Sequence, residues 1–236
     1  AEAEITQRRA GRAVGHSQYR GVRARRADPG GHPRVPDVRT FSTRDYGARV
    51  GVFRLAELLT RFGIRGTVAL NSEVCDAYPQ IIEEVMRLDW EIMGHNESNS
   101  RILNEIPPET EQAVIRSTLD RIEKATGTRP KGWLGSAMAE TWNTLEYLAD
   151  EGVEYVADWP NDDQPYLMDV NGKRMVSIPY GGEINDLPKL MIDKYSPAVF
   201  GQMIRDHFDV VYREGAQSGR IMAISLHPFI IGVPHR

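Results

Sequence analysis

Two histidines in this chain each stand where an apolar run gives way to a polar one. His95 follows Trp90-Glu91-Ile92-Met93-Gly94 and opens His95-Asn96-Glu97-Ser98-Asn99-Ser100, while His227 closes the run Ile221 to Leu226 and precedes Pro228. In a chain that alternates strands with helices, residues at strand ends reach the loops where barrel enzymes do their chemistry. An imidazole that titrates near neutrality can hand a proton to a departing amine, which is the role expected of His227. His95 and Asn99 are four apart, so one helical turn would put both on one face as candidate ligands of a single metal ion, zinc being the natural choice for an imidazole. An amide oxygen is a poor zinc ligand, so a metal-independent site stays open. His95 is also readable as a hydrogen-bonded structural residue and Asn99 as a cap for the next turn.

A second cluster is the run Asp158-Trp159-Pro160-Asn161-Asp162-Asp163-Gln164-Pro165-Tyr166, which combines carboxylates, amides, aromatics and prolines just beyond an expected strand. A solvated loop has little use for Trp, Tyr and two prolines, so these residues read as a rigid polar wall. Asp158, Trp159, Asn161, Asp162 and Tyr166 are its substrate-binding candidates, joined by Trp133 and Asn185. Glu183-Ile184-Asn185-Asp186 follows a Gly181-Gly182 turn and could face the same cavity, and Arg44-Asp45-Tyr46-Gly47 forms a third candidate rim. Asp45, Glu73 and Glu183 are the candidate catalytic carboxylates. Ser225 shares a strand face with His227, but no Gly-x-Ser-x-Gly elbow marks it as a nucleophile. Cys75 reads as a packed small residue. Gly-rich phosphate loops are absent, which argues against nucleotide chemistry.

With 236 residues and 41% hydrophobic content the chain can bury one large core. A single cysteine excludes an internal disulfide and a cysteine metal cluster. No apolar run is long enough for a membrane helix and no signal core opens the sequence, so a soluble, cytoplasmic protein is expected, with a small molecule as its partner and no membrane. The net charge of −4 conceals an asymmetry: residues 1–50 hold 11 Lys+Arg against 5 Asp+Glu, and the remainder 18 against 28. An acidic body argues against nucleic-acid binding. Self-association is plausible for an exposed helix layer.

Residues 1–35 form an atypical Arg-rich segment without helix or strand periodicity, readable as a basic disordered arm or as an out-of-frame stretch. Codons allowed for Gly15 to Val22, read one base later, permit Ala-Ile-Pro-Asn-Ile-Glu-Glu, a buried strand ending in acids. Residues 36–236 read as one domain in which helices and strands alternate. Helical spacing covers 51–62, a helix starts near Pro79, another runs from Pro107-Pro108 to Gly127, a fourth spans 141–151, and a last follows Ser196-Pro197. Strands are expected at 64–70, 90–94, around 133, at 153–157 and at 221–226, with a hairpin about Asn171-Gly172. Such alternation implies a mainly parallel sheet, closed or nearly so. The chain stops after Pro234-His235-Arg236 without a closing helix, as a C-terminally shortened domain would.

Arg44-Asp45-Tyr46-Gly47, Leu70-Asn71-Ser72-Glu73, Met93-Gly94-His95, Asn99-Ser100, Gly132-Trp133-Leu134-Gly135, the Asp158 to Tyr166 run and Ser225-Leu226-His227-Pro228 together resemble the polysaccharide deacetylase (NodB-homology) superfamily. Within it they are most similar to the branch of PuuE-type allantoinases and cyclic imide hydrolases, over about Pro36 to Arg236. The resemblance implies an α/β fold, a distorted (β/α) barrel of about seven strands. It also implies hydrolysis of a non-peptide carbon–nitrogen bond, on a small cyclic amide, ureide or N-acyl substrate, with an amino-sugar polymer or an inactive binding barrel as alternatives. His95 matches the first histidine of the family's metal-binding His-x-x-x-His, Asn99 stands at the second, and His227 matches the late acid. Leu134 replaces an arginine, and the family's first-strand aspartates have no counterpart in residues 1–35.

Overall fold

The structure, a computed structural model, describes residues 38–236; the Arg-rich segment and the strand its shifted reading would form lie outside them. The first described elements are α1 (Val38–Tyr46), a π-helical turn (Gly47–Gly51) and α2 (Val52–Arg61). Arg44 to Gly47, expected as a rim ahead of the first helix, is therefore helical itself: Tyr46 and Gly51 both hold right-handed helical backbone, and the path continues without a break into α2. Glycine is needed at the turn because another piece of backbone lies against it. A Cβ on Gly47 would sit 2.6 Å from the Phe229 nitrogen, and one on Gly51 would sit 2.0 Å from the Pro228 oxygen.

From there the chain alternates as its periodicity predicts. It runs through β1 (Thr67–Leu70), α3 (Glu73–Ala77), α4 (Pro79–Arg87), β2 (Glu91–Gly94), α5 (Glu111–Thr126), β3 (Gly132–Trp133), α6 (Thr144–Asp150) and β4 (Tyr155–Val156). The hairpin β5 (Tyr166–Val170) and β6 (Lys173–Ser177), a π-helical turn (Leu187–Ile192), α7 (Pro197–Glu214) and the short α8 (Pro228–Ile231) complete it. The stop and start signals act as read. Gly127 ends α5 in the left-handed region at φ 77°, and Ser196 caps α7 by accepting the Val199 N–H at 3.3 Å. Asn171 and Gly172, at φ 52° and 77°, supply the left-handed pair that a two-residue hairpin requires.

The six strands lie in the order β1-β2-β3-β4-β6-β5, all parallel except the β5/β6 hairpin. Among the described residues the sheet is not closed. The strand expected at 221–226 contributes one isolated parallel bridge, Asn185 with Ser225. Its neighbouring N–H groups are engaged irregularly, Ile221 with the Asp163 carbonyl and Ser225 with that of Ile184, so no ladder propagates.

One face of the sheet carries Trp133, Val156 and Met175 into a core with Val114, Ile115 and Leu119 of α5 and Leu148 of α6. Trp133 is fully buried there, and its ring occupies the space a Cβ on Gly94 would need, with 2.6 Å to Cε3. The opposite face gathers Ala69, Met93, Leu134, Ala157 and Tyr180. No helix among the described residues is long and apolar enough to cross a membrane.

Gly51→Ala should lower stability in denaturant unfolding by about 1–3 kcal/mol, because the methyl meets backbone that cannot yield without moving the His227 loop. Gly63→Ala is the control: nothing lies within 4 Å of the added Cβ, so only its φ of 65° opposes it, at roughly 1 kcal/mol. Equal losses at the two positions would refute the close-contact account.

Candidate functional site

His95 leaves β2 with its N–H on the Leu70 carbonyl (3.1 Å), and the chain then turns sharply through Asn96, which is buried with φ 57° and donates from Nδ2 to the Arg101 carbonyl (2.9 Å). This fixes the ring over the end of the sheet. Its Nδ1 lies 2.5 Å from the Leu134 carbonyl oxygen. A carbonyl only accepts, so Nδ1 carries the hydrogen and Nε2 keeps a lone pair. Burial pushes the His95 imidazole down to about 4; the Leu134 carbonyl opposes this, the nearby His227 adds to it, and the Asn99 amide opposes it. His95 is thus a neutral ring at physiological pH.

His227 is held from the other side. Its backbone N–H donates to Asp186 Oδ2 (2.8 Å) and its Nδ1 lies 2.6 Å from Asp186 Oδ1. Asp186 is completely buried, and its own N–H donates to the Ser225 carbonyl (3.1 Å) through the isolated bridge. A carboxylate clamped on Nδ1 fixes the tautomer and leaves Nε2 for the reaction. The Phe229 ring meets His227 edge-on at 5.8 Å, and the Arg44 guanidinium lies 4.8 Å from the centre of that ring. Tyr180 stands between the groups: Asn185 Nδ2 donates to its hydroxyl (3.4 Å), and burial, with Asp158 and Asp186 nearby, keeps its phenol protonated.

The turn after β3 completes the site. Leu134, where the family carries arginine, buries its side chain beside Met93 and Ala157 and offers its carbonyl to His95. The following residues run through Ala137 and Met138, both left-handed at φ 61° and 53°, a cost of about 1 kcal/mol each or more. Fixed partners hold this strained turn in place. The Gly135 N–H donates to Asp158 Oδ1 (2.7 Å), and the Ser136 hydroxyl donates to Asn99 Oδ1 (2.9 Å).

The candidates from sequence fall into three groups. His95, Asn99 and His227 come together with each other. Asp158 is present at the site but buried, holding the turn rather than presenting a free edge. Trp159, Asn161, Asp162 and Tyr166 do form a wall braced by its own hydrogen bonds. Trp159 Nε1 donates to Glu140 (3.2 Å), the Tyr166 hydroxyl to Asn161 (3.0 Å), and the Gln164 N–H to Asp162 (2.9 Å).

The remaining candidates are corrected. Trp133 belongs to the core and cannot touch a substrate, because its position on β3 points it at the helices. Asn185 acts as a cap, accepting the Leu187 N–H at 3.0 Å. Asp45 accepts the Tyr78 hydroxyl (2.6 Å) and pairs with Arg49 at 3.7 Å rather than with either histidine. Glu183 is exposed and folds back over Gly181, and Glu73 opens α3. The carboxylate that serves a histidine is Asp186, three residues past Glu183. Its burial comes from the turn and single bridge at 183–186 and not from strand alternation, so no sequence period marks it.

A divalent metal would need more than these residues provide. The Asn99 oxygen, its sole ligating atom, already accepts hydrogens from Ser136 and from Asn71 Nδ2 (3.3 Å), and among the described residues no group of three His, Cys, Asp or Glu converges. One imidazole nitrogen and a satisfied amide oxygen do not fit the ion.

Residues 34–156 match the sequence model of the family described as polysaccharide deacetylase. A curated protein of Schizosaccharomyces pombe, named provisionally as a polysaccharide deacetylase, is 26% identical over 211 residues, which cover 81% of this chain and 65% of the yeast protein; the chain thus spans under two thirds of that relative's length. Among solved structures, PuuE allantoinase superposes with a TM-score of 0.79 at 28% identity, covering 85% of this chain and 67% of its own. A probable polysaccharide deacetylase from Pseudomonas aeruginosa PAO1 also gives 0.79 at 28%, covering 86% and 68%. With a mainly parallel α/β sheet shared with these structures and the family's sequence model matched over more than half its length, the chain belongs to the polysaccharide deacetylase family.

Proposed function

We propose that this chain hydrolyses a non-peptide carbon–nitrogen bond in a small cyclic amide, ureide or N-acyl compound. The observation that carries the reading is the buried Asp186 clamped to His227 Nδ1, which faces a second, neutral histidine. The likeness to PuuE allantoinase and to a probable polysaccharide deacetylase supports an amide as the target.

In this reaction water adds to the substrate carbonyl carbon, and the carbon–nitrogen bond breaks as the nitrogen gains a proton. His95, neutral with Nδ1 fixed on Leu134, offers Nε2 as an acceptor that orients the attacking water and draws on its proton. His227 gives the proton at Nε2 to the departing nitrogen, and Asp186 stabilises the ring through the hydrogen bond at Nδ1. The Asn161 to Tyr166 wall binds the rest of the substrate.

The experiment is hydrolysis of allantoin, succinimide-like imides and N-acetylglucosamine oligomers by the purified chain. Ring opening is expected; turnover confined to the oligomers, or none at all, would overturn the small-amide reading. His227→Ala should reduce turnover by roughly 10²–10⁴-fold, and unchanged turnover would remove it as the proton donor. Asp186→Asn should cost a similar factor while leaving KM nearly constant, since a neutral amide no longer offsets the charge of the ring protonated at both nitrogens, the form from which Nε2 gives its proton. Because the described donor set does not fit a metal, prolonged dialysis against a chelator is expected to leave the rate unaltered.

A further inference from the structure

Asp158 has one oxygen satisfied and one in an unusual position. Oδ1 accepts the Gly135 N–H at 2.7 Å, while Oδ2 is buried and receives a hydrogen from no N–H or hydroxyl. The group hydrogen-bonded to this carboxyl is another carboxyl, that of Glu140, which is itself half-buried and braced by the Trp159 indole N–H at 3.2 Å. Two carboxylates offer four acceptors and no donor, so their contact needs a hydrogen between them.

We propose that Asp158 and Glu140 share a single proton and that this acid pair is the positioning device for the turn that carries the Leu134 carbonyl to His95. The connection is short. Glu140 holds Asp158, Asp158 holds the Gly135 N–H, and the residue before Gly135 supplies the oxygen on His95 Nδ1. The far end of the turn is fixed independently: Thr141, next to Glu140, donates its hydroxyl to the buried Glu111 at 2.7 Å, and Thr144 donates to the same carboxylate. The backbone that carries Glu140 is therefore anchored next to the pair.

Charges around the pair favour retaining the proton. Glu111 on α5 repels the ionised form of Glu140, Asp158 is almost wholly excluded from water, and the Tyr180 phenol lies near both Asp158 and Asp186. Burial followed by the Glu140 charge raises the Asp158 titration, and burial first raises that of Glu140. With folded-state values above the unfolded ones, the stabilisation is complete at acid pH and is lost as pH rises through the raised titration.

The test uses infrared spectra and thermal unfolding of the wild-type chain, Glu140→Gln and Asp158→Asn, from about pH 4 to about pH 9. Each amide supplies the bridging hydrogen permanently. The wild type should keep the carbonyl stretch of a protonated carboxyl above the ordinary carboxylate range, and Glu140→Gln should lose that band. The wild-type melting temperature should fall, relative to that of Glu140→Gln, as the band titrates away. If Glu140→Gln does not fold, Asp158→Asn provides the same two readouts from the other partner. A band that vanishes at the ordinary carboxylate value, or melting curves that run parallel across the range, would overturn the proposal. An activity consequence, an alkaline limb moved upward in Glu140→Gln, rests on the hydrolase reading; the band and the melting curves do not, so the two ideas fail separately.

Discussion

Each of the two histidines has its Nδ1 bound to an oxygen that the fold cannot easily move. For His95 the oxygen is a backbone carbonyl at the end of β3, and for His227 it is a fully buried carboxylate. A ring bound at Nδ1 can act only at Nε2, so tautomer and orientation are decided together. Most other features of the site follow from supplying those two oxygens. The strained turn at Ala137 and Met138 places the chain that continues from Leu134, and the Asn185–Ser225 bridge brings Asp186 under His227.

Much of the architecture was legible because local signals agreed with tertiary demand. Asn171-Gly172, Gly127 and Ser196-Pro197 each act as their backbone chemistry requires, and the apolar spacing of the helices matches the sheet they cover. Both histidines were found because a strand end beside polar residues is itself a positional signal. The errors arose where a side depended on a single residue of register. Trp133 reads as rim or core according to which way β3 turns it, and pairing with Val156 turns it to the helices. Glu183 was preferred to Asp186 because the segment is a turn running into a helix, where no period tells which carboxylate the backbone buries. The apolar run at 221–226 has strand composition, yet a ladder also needs neighbours with free groups, which composition does not report.

Hydrogen bonds among Asn71, Ser136 and Asn99 order the loop after β2. Such bonds are individually weak, about 1 kcal/mol net, but each also satisfies a group that would otherwise face a partly dry cavity. A neutral His95 fits that setting, since burial disfavours a charged ring and His227 adds to the effect.

The close contact between the π-helical turn and the loop beyond His227 bears on how the sequence can drift. Gly47 and Gly51 on one segment and Gly232 on the other meet backbone to backbone, with a Cβ on Gly232 only 2.5 Å from the Gly51 Cα. No substitution at these three positions adds atoms without separating the segments, so they form a patch of near-zero mutational tolerance directly behind the His227 loop. Variation would be channelled to side chains that flank the patch, such as Arg44 over Phe229, where size and charge can change while the backbone contact persists. A search confined to side-chain chemistry would pass over those buried glycines, yet their constraint on inheritance would be among the tightest in the molecule.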